Sequence, residues 1–127
     1  MKLESVVHAY IALGLLMETE MDYADAHALL MLYRKFRPHI DFYVSEEAKL
    51  VQQYAKKNEQ GKAIIAENGG FCLEDPQKFA EYTNQKCALG NVEVEIEPVN
   101  IHAPKRISAK ILDSLDGAVQ FIKETAE

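Results

Sequence analysis

The sequence predicts an α+β fold in which a long helix packs on N- and C-terminal helices, beside a small, mainly antiparallel three-stranded sheet crossed by one short helix. Three observations predict this fold. Apolar residues recur at every third or fourth position over residues 26–54, they alternate with acids over residues 91–98, and they recur at helical spacing again after residue 108. The first spacing is that of one face of a helix, and the alternation is that of one face of a strand.

Composition indicates one globular domain over residues 1–127, with a helical part at about 1–58 and 108–127 and a sheet-plus-helix part at about 62–101. The chain is 48% hydrophobic and 27% charged, which is typical of a folded protein. Its net charge of −6 disfavours nucleic acid as a partner. The apolar stretch at 10–17 is too short to span a bilayer and lacks the basic flank of a signal peptide. We therefore expect a cytoplasmic protein without a membrane partner.

Two helices are predicted in the first half of the chain. Residues 3–17 carry apolar side chains in the 4-3-4 spacing of one helical face. A second helix is expected after Asp22, whose side chain suits an N-cap, with Asp25 in the first turn where a carboxylate favours the helix dipole. Its apolar stripe, interrupted by one glutamate, comprises Ala26, Leu29, Tyr33, Phe36, Ile40, Tyr43, Glu47, Leu50 and Tyr54. A stripe of this length predicts packing against another helix.

Pro38 lies inside this stripe, where a proline removes a backbone donor and clashes with the carbonyl of Arg34. Two interpretations follow. Either one kinked helix runs over about 23–58, or the helix breaks and restarts at Ser45, which can cap a new first turn. The stripe keeps its register across Pro38, and this favours the kinked helix.

The middle of the chain predicts the sheet. NEQGK at 58–62 ends the long helix, and AIIA meets GFCL across the turn ENGG, which is a hairpin signal. Asp75 and Pro76 then begin a helix that Gly90 ends. The alternating segment NVEVEIEP at 91–98 supplies the third strand.

The carboxyl-terminal segment predicts a last helix over 108–127, with Ser108 as its N-cap and apolar residues spaced 3-4-3. We expect this helix to pack against the long stripe. The two stripes together are the predicted interaction surface, within the chain or with a partner. Its members are Leu29, Tyr33, Phe36, Ile40, Tyr43, Leu50, Tyr54, Leu112, Leu115, Val119 and Ile122.

Three carboxylates, those of Glu93, Glu95 and Glu97, would share one face of the predicted third strand. The structural interpretation is the solvated face of a half-buried strand, where Glu also discourages edge-to-edge aggregation. The functional interpretation is a Mg²⁺ or Mn²⁺ site, because these ions prefer carboxylate oxygens. Enzymes of that kind usually add a Lys or His, and none stands beside this segment. The solvated face is therefore favoured.

The histidines do not form a site in the sequence. His8 and His27 lack a second His or Cys three or four residues away, although Asp22 and Asp25 precede His27 near the start of the long helix. His102 belongs to a weak anion-binding patch, whose other members are Lys105, Arg106 and Lys110. We predict no metal and no cofactor.

Nucleophile motifs are missing from the sequence as well: it contains no GxSxG, P-loop or GxGxxG. Cys72 and Cys87 have no CxxC partner, so we expect two buried thiols and neither a disulfide nor a zinc site. No residue emerges as a catalytic candidate, and we predict that the protein is not an enzyme.

Five segments follow one another in the chain: AHALLMLYRKF, QQYAKKNEQGKAII, FCLEDPQKFAEYTNQ, NVEVEIEPVNI and ILDSLDGAVQFI. In this order they resemble a family of small phage and prophage proteins of unknown function. The resemblance implies a phage or prophage setting, hence the host cytoplasm, and brings no catalytic residues. Pro38 departs from the unbroken long helix of such proteins. In outline, the order of elements is also similar to that of prefoldin-like chaperones.

From the stripe, the missing motifs and the resemblance, we predict a non-enzymatic protein that acts by association with a protein partner or with itself. Its role would be that of a phage assembly, chaperone-like or host-interaction factor. Two alternatives stay open. One is a small Mg²⁺- or Mn²⁺-dependent enzyme that uses the glutamate strand. The other is an acidic decoy of a nucleic-acid-binding partner, indicated by seven acids against two lysines between Glu67 and Glu97.

Overall fold

The computed structural model describes residues 1–104 and 106–122. Within these ranges the elements are α1 (Leu3–Leu16), α2 (Tyr23–Tyr54), a 3-10 turn (Pro76–Lys78), α3 (Phe79–Gly90), β1 (Val99–His102), α4 (Ala109–Ser114) and β2 (Val119–Ile122). An α+β fold is thereby confirmed. Lys105 of the predicted anion patch and residues 123–127 of the predicted last helix lie outside the described residues.

The core is organised around α2. Helix α1 packs on α2 as predicted, and both α3 and β1 pack on α2 as well. The central side chains Leu29, Leu32 and Phe36 are at most 1% exposed. Full burial of a Leu or Phe side chain contributes about 1.5–3 kcal/mol, so each of these three side chains stabilises the fold by about that amount.

Helix α2 continues through Pro38 from Tyr23 to Tyr54. The alternative in which the helix breaks and restarts at Ser45 is therefore wrong. An internal proline costs about 3 kcal/mol, and packing on both sides of Pro38 offsets this cost: Phe36 is buried before it, and Tyr54 is buried after it. The helix ends earlier than predicted, because Ala55 adopts an extended conformation.

The predicted three-stranded antiparallel sheet is wrong. The sheet that the structure describes has two parallel strands, in which Val99 pairs with Val119 and His102 with Ile122. The segment with the alternating glutamates makes one antiparallel bridge, between Glu93 and Lys2. Among the described residues its backbone bonds to other segments run to Met1 and Leu3, and so its pairing does not extend into a strand.

The predicted hairpin also pairs differently. The turn forms, because the N–H of Ala66 donates to the carbonyl of Gly70 at 2.8 Å. The two flanking segments, however, bridge the chain that leaves α2: Ala63 pairs with Lys57, and Leu73 pairs with Ala55. The exit of α2 thus lies between the two segments that were expected to pair with each other.

The predicted last helix is wrong beyond its first turns. Ser108 caps α4 as expected, since its Oγ accepts a hydrogen bond from the N–H of Ile111 at 3.2 Å. The helix ends at Ser114, and Gly117 then turns the chain at a φ of +84°. Residues 119–122 form β2 because their β-branched and aromatic side chains suit a strand. Helix α4 packs chiefly on α1, whereas the prediction placed it on the stripe of α2.

Candidate functional sites

Most residues of the predicted interaction stripe pack inside this chain. Its buried members are Leu29, Phe36, Tyr54, Leu115 and Val119. Its half-buried members, which pack against the core, are Tyr33, Ile40, Tyr43 and Leu50. The exposed members are Leu112 and Ile122. A partner can therefore reach only the last two and the edges of the half-buried group in the folded protein.

Tyr54 joins the end of α2 to α3. Its hydroxyl donates a hydrogen bond to Oε1 of Glu81 at 2.9 Å, and its ring meets the edge of Tyr82 at a centroid distance of 5.7 Å. Burial raises the pKa of Tyr54, and the hydrogen bond and negative charge of Glu81 raise this pKa further. The carboxyl end of α2 is therefore held in place by specific contacts.

Beyond Tyr54, the exit of α2 carries an exposed apolar surface. The N–H of Lys56 donates to the carbonyl of Cys72 at 2.9 Å, and the carbonyl of Lys56 accepts from Ile64 at 2.8 Å. Lys56 also lines a shallow cleft with Leu73 and Phe79. Ile64 is 53% exposed and Phe79 is 63% exposed. We call this surface the platform; its members are Ile64, Ile65, Cys72, Leu73 and Phe79.

Both thiols are free and exposed, so the prediction of two buried cysteines is wrong. Cys72 was expected inside a hairpin strand, and that strand does not form. Cys87 lies on the solvent side of α3.

The three glutamates lie on the surface. Val94 is buried while Glu93, Glu95 and Glu97 are exposed, so the alternation of faces persists at these residues without a regular strand. It ends at Val92, which is 43% exposed. These glutamates line a cleft together with a lysine and a histidine of α2, Lys35 and His39. The sequence showed no such companions because α2 is distant in the chain. Over the described ranges, however, the glutamates form no group of three metal donors.

A different cleft, of about 550 Å³, lies where α2 begins and β1 ends. It brings together Asp22, Asp25 and His102, whose ligand atoms lie within 4.8 Å of one another. Asp22 occupies the N-cap position of α2, yet in the described part of the chain its side chain caps no backbone N–H. It is therefore available to face the cleft.

Among the residues that the structure describes, Asp25 is the only charged residue that is buried. Its two carboxylate oxygens lie 3.3 and 3.2 Å from Nδ1 of His102. An ionised carboxylate can only accept, so it pairs with the form of His102 that carries a proton on Nδ1. The side chain of Asp25 is 9% exposed and that of His102 is 51% exposed. The pair thus joins a buried carboxylate to a solvent-accessible imidazole.

Sequence reasoning missed this cluster. It placed Asp22 and Asp25 beside His27, and it placed His102 in a basic patch. The packing of β1 on α2 brings His102 to the helix start, across 77 residues of sequence from Asp25. No local spacing carries that signal. Arg106 of the predicted patch does line the same cleft.

Comparison of the chain with protein-family models, with curated proteins and with solved structures found no match. The phage and prophage resemblance therefore stays a prediction from the sequence. No helix in the two described ranges is both long enough and apolar enough to cross a membrane.

Proposed function

We propose that the protein acts by binding another protein chain through the platform at the exit of α2. The observation that carries this proposal is the exposure of Ile64, Ile65 and Phe79 near the exit of α2. There, the carbonyl of Lys56 accepts a hydrogen bond from Ile64, and Lys56 lines a cleft with Phe79. Several exposed apolar side chains in one region are typical of protein interfaces. A partner that covers it removes apolar area from water, which contributes about 25 cal/mol per Å².

The platform also has a defined backbone. Lys56 accepts from one platform segment and donates to the other, and Gln52 holds the first segment through a hydrogen bond from the N–H of Ala63 to Oε1 at 3.0 Å. A preorganised surface loses less conformational entropy when it binds. Association through the platform is compatible with the predicted role as an assembly, chaperone-like or host-interaction factor, and the resemblance to phage proteins supports this role.

Site-specific photo-crosslinking tests the proposal. A photoreactive phenylalanine analogue replaces Phe79 in the producing cells, and a parallel variant carries it in place of Leu112. Leu112 is a matched control because it is 46% exposed and lies on α4, away from the platform. After illumination, denaturing gels report adducts, and mass spectrometry identifies the crosslinked chain.

We expect an adduct from the Phe79 position and none, or much less, from the Leu112 position. An adduct with a second copy of this chain identifies self-association, and an adduct with another protein identifies that partner. The absence of any adduct at position 79 would overturn the proposal. Equal adducts at both positions would overturn the assignment to the platform.

A second candidate function is favoured by Lys35 and His39, which face the same cleft as the glutamates. We propose as this alternative a small Mg²⁺- or Mn²⁺-dependent enzyme that uses Glu93, Glu95 or Glu97. A ligand that binds only the native state raises the melting temperature. This alternative predicts that Mg²⁺ raises the melting temperature of the wild type and leaves that of Glu95→Gln unchanged. If millimolar Mg²⁺ does not shift the melting temperature of the wild type, the enzyme alternative is ruled out.

A further inference from the structure

We infer that Asp22, Asp25 and His102 form a binding site for a divalent first-row transition-metal cation. This site is separate from the platform and from the glutamate cleft, and it does not rest on either proposed function. Its three side chains come from the start of α2 and the end of β1, two elements that pack on each other. The fold therefore sets the distance between the donors.

Asp25 lies in an environment that calls for a positively charged partner. Its side chain is more than nine-tenths buried, yet it lines an open cleft. Among the described residues, its side-chain hydrogen bonds are those with His102 alone. A carboxylate has about four lone-pair positions, and burial of the charge costs free energy unless partners compensate it. A cation placed between Asp25 and His102 supplies that compensation.

Asp22 adds a second carboxylate to the same cleft. Its carboxylate lies near that of Asp25, so two negative charges share one small space. The positive end of the α2 dipole offsets only part of this repulsion. A divalent cation neutralises both charges, and the exposed Asp22 side chain can move to complete the coordination.

The donor set indicates the class of metal. Ca²⁺ and Mg²⁺ prefer oxygen ligands throughout, whereas an imidazole nitrogen suits transition metals. Two carboxylates and one imidazole therefore favour Mn²⁺, Fe²⁺, Co²⁺ or Zn²⁺ over Ca²⁺. A cation that binds Nδ1 takes the place of a proton there, and the neutral imidazole then carries its proton on Nε2. The remaining coordination positions face the cleft and are open to water.

Titration with Mn²⁺ tests the inference, because the sharp spectrum of free Mn²⁺ in electron paramagnetic resonance disappears on binding. Mn²⁺ also interacts little with thiolates, and this matters because Cys72 and Cys87 are exposed. The variants are Asp22→Asn, Asp25→Asn and His102→Gln. Glu20→Gln is the matched control, since Glu20 lines the same cleft but lies outside the donor group.

We expect wild type and Glu20→Gln to bind one Mn²⁺ with similar affinity, and each of the three donor variants to bind at least about tenfold more weakly. Excess Ca²⁺ should compete poorly. Circular dichroism without metal verifies that each variant is folded. If Asp25→Asn does not fold, Asp22→Asn still tests the site, because Asp22 is exposed. The inference is overturned if wild type binds no Mn²⁺ at millimolar concentration. It is equally overturned if Glu20→Gln weakens binding as much as the donor variants do.

Discussion

At the scale of single residues, Phe36 and Phe42 show how position on one helix decides the energetic role of the same side chain. Phe36 is 0% exposed and Phe42 is 49% exposed. Removal of a fully buried Phe side chain leaves a cavity, so Phe36→Ala should lower the free energy of unfolding by about 3–5 kcal/mol. Phe42→Ala should lower it by about 1 kcal/mol or less.

Urea unfolding followed by circular dichroism measures both values. Both substitutions replace Phe by Ala in the same helix, so they change helix propensity equally. The difference between their losses of unfolding free energy therefore reports the effect of burial. Equal losses in the two variants would contradict the position of Phe36 in the core.

Tyr54 predicts a loss of stability at alkaline pH. Burial, together with Glu81, raises the pKa of Tyr54 above its ordinary value of 10.0 in the folded protein. Below pH 10 the hydroxyl is protonated in both states, and its contribution is complete. As the pH rises past that value, the unfolded chain loses this proton first, so the free energy of unfolding falls.

We therefore expect the melting temperature of the wild type to fall more steeply between about pH 9 and pH 11 than that of Tyr54→Phe, which cannot titrate. Tyr23→Phe is the control, because Tyr23 is 95% exposed. If Tyr54→Phe keeps the full alkaline slope, Tyr54 is not the titrating group.

At the scale of elements, two glycines predict effects of opposite sign. Gly117 has a φ of +84°, a conformation that an L-residue adopts at a cost of about 1–2 kcal/mol. Gly14 lies inside α1, and in the described structure an added Cβ would meet nothing within 4 Å. Gly117→Ala should therefore destabilise the protein by about 1–2 kcal/mol, and Gly14→Ala should stabilise it by about 0.5–1 kcal/mol.

Thermal and urea unfolding of the two variants measure these changes, and each variant serves as the control for the other. A stabilising Gly117→Ala would mean that residues 108–122 can continue as a helix, as the sequence predicted. That outcome would contradict the turn before β2.

The same region explains which elements the sequence could predict. Helices α1, α2 and α3 follow from local signals: apolar spacing, an N-cap position and the Asp75–Pro76 start. The prediction of the last helix failed because Leu115 and Val119 fit a helical spacing as well as they fit a turn followed by a strand. The parallel partner of that strand, Val99–His102, decides between the two, and pairing across the chain leaves no local pattern.

At the scale of the whole molecule, the candidate sites depend even more on contacts between distant residues. The alternation at Glu93 and Glu95 was visible, and the solvated face was correctly separated from the buried Val94. The Asp25–His102 pair was not predictable, because each partner has an ordinary local setting and only the packing of β1 on α2 joins them. The platform was missed because its segments were expected to pair with each other and not with the exit of α2.

Helix α2 also separates the two proposed sites. The metal donors lie at its first turn and the platform follows its last, and a helix of 32 residues is about 48 Å long at 1.5 Å per residue. Substitutions this far apart, without shared contacts, are usually additive within about 0.5 kcal/mol. The two sites should therefore function independently of each other.

This independence is tested with Phe79→Asp, Asp25→Asn and the double variant. Phe79→Asp should bind Mn²⁺ with the wild-type affinity, because the platform contacts none of the three donors. Asp25→Asn should leave the yield of adducts from the photoreactive position 79 unchanged. The destabilisation of the double variant should equal the sum of the single values. If Phe79→Asp weakens Mn²⁺ binding by tenfold or more, α2 transmits a change between its two ends, and platform and cleft would form one coupled system.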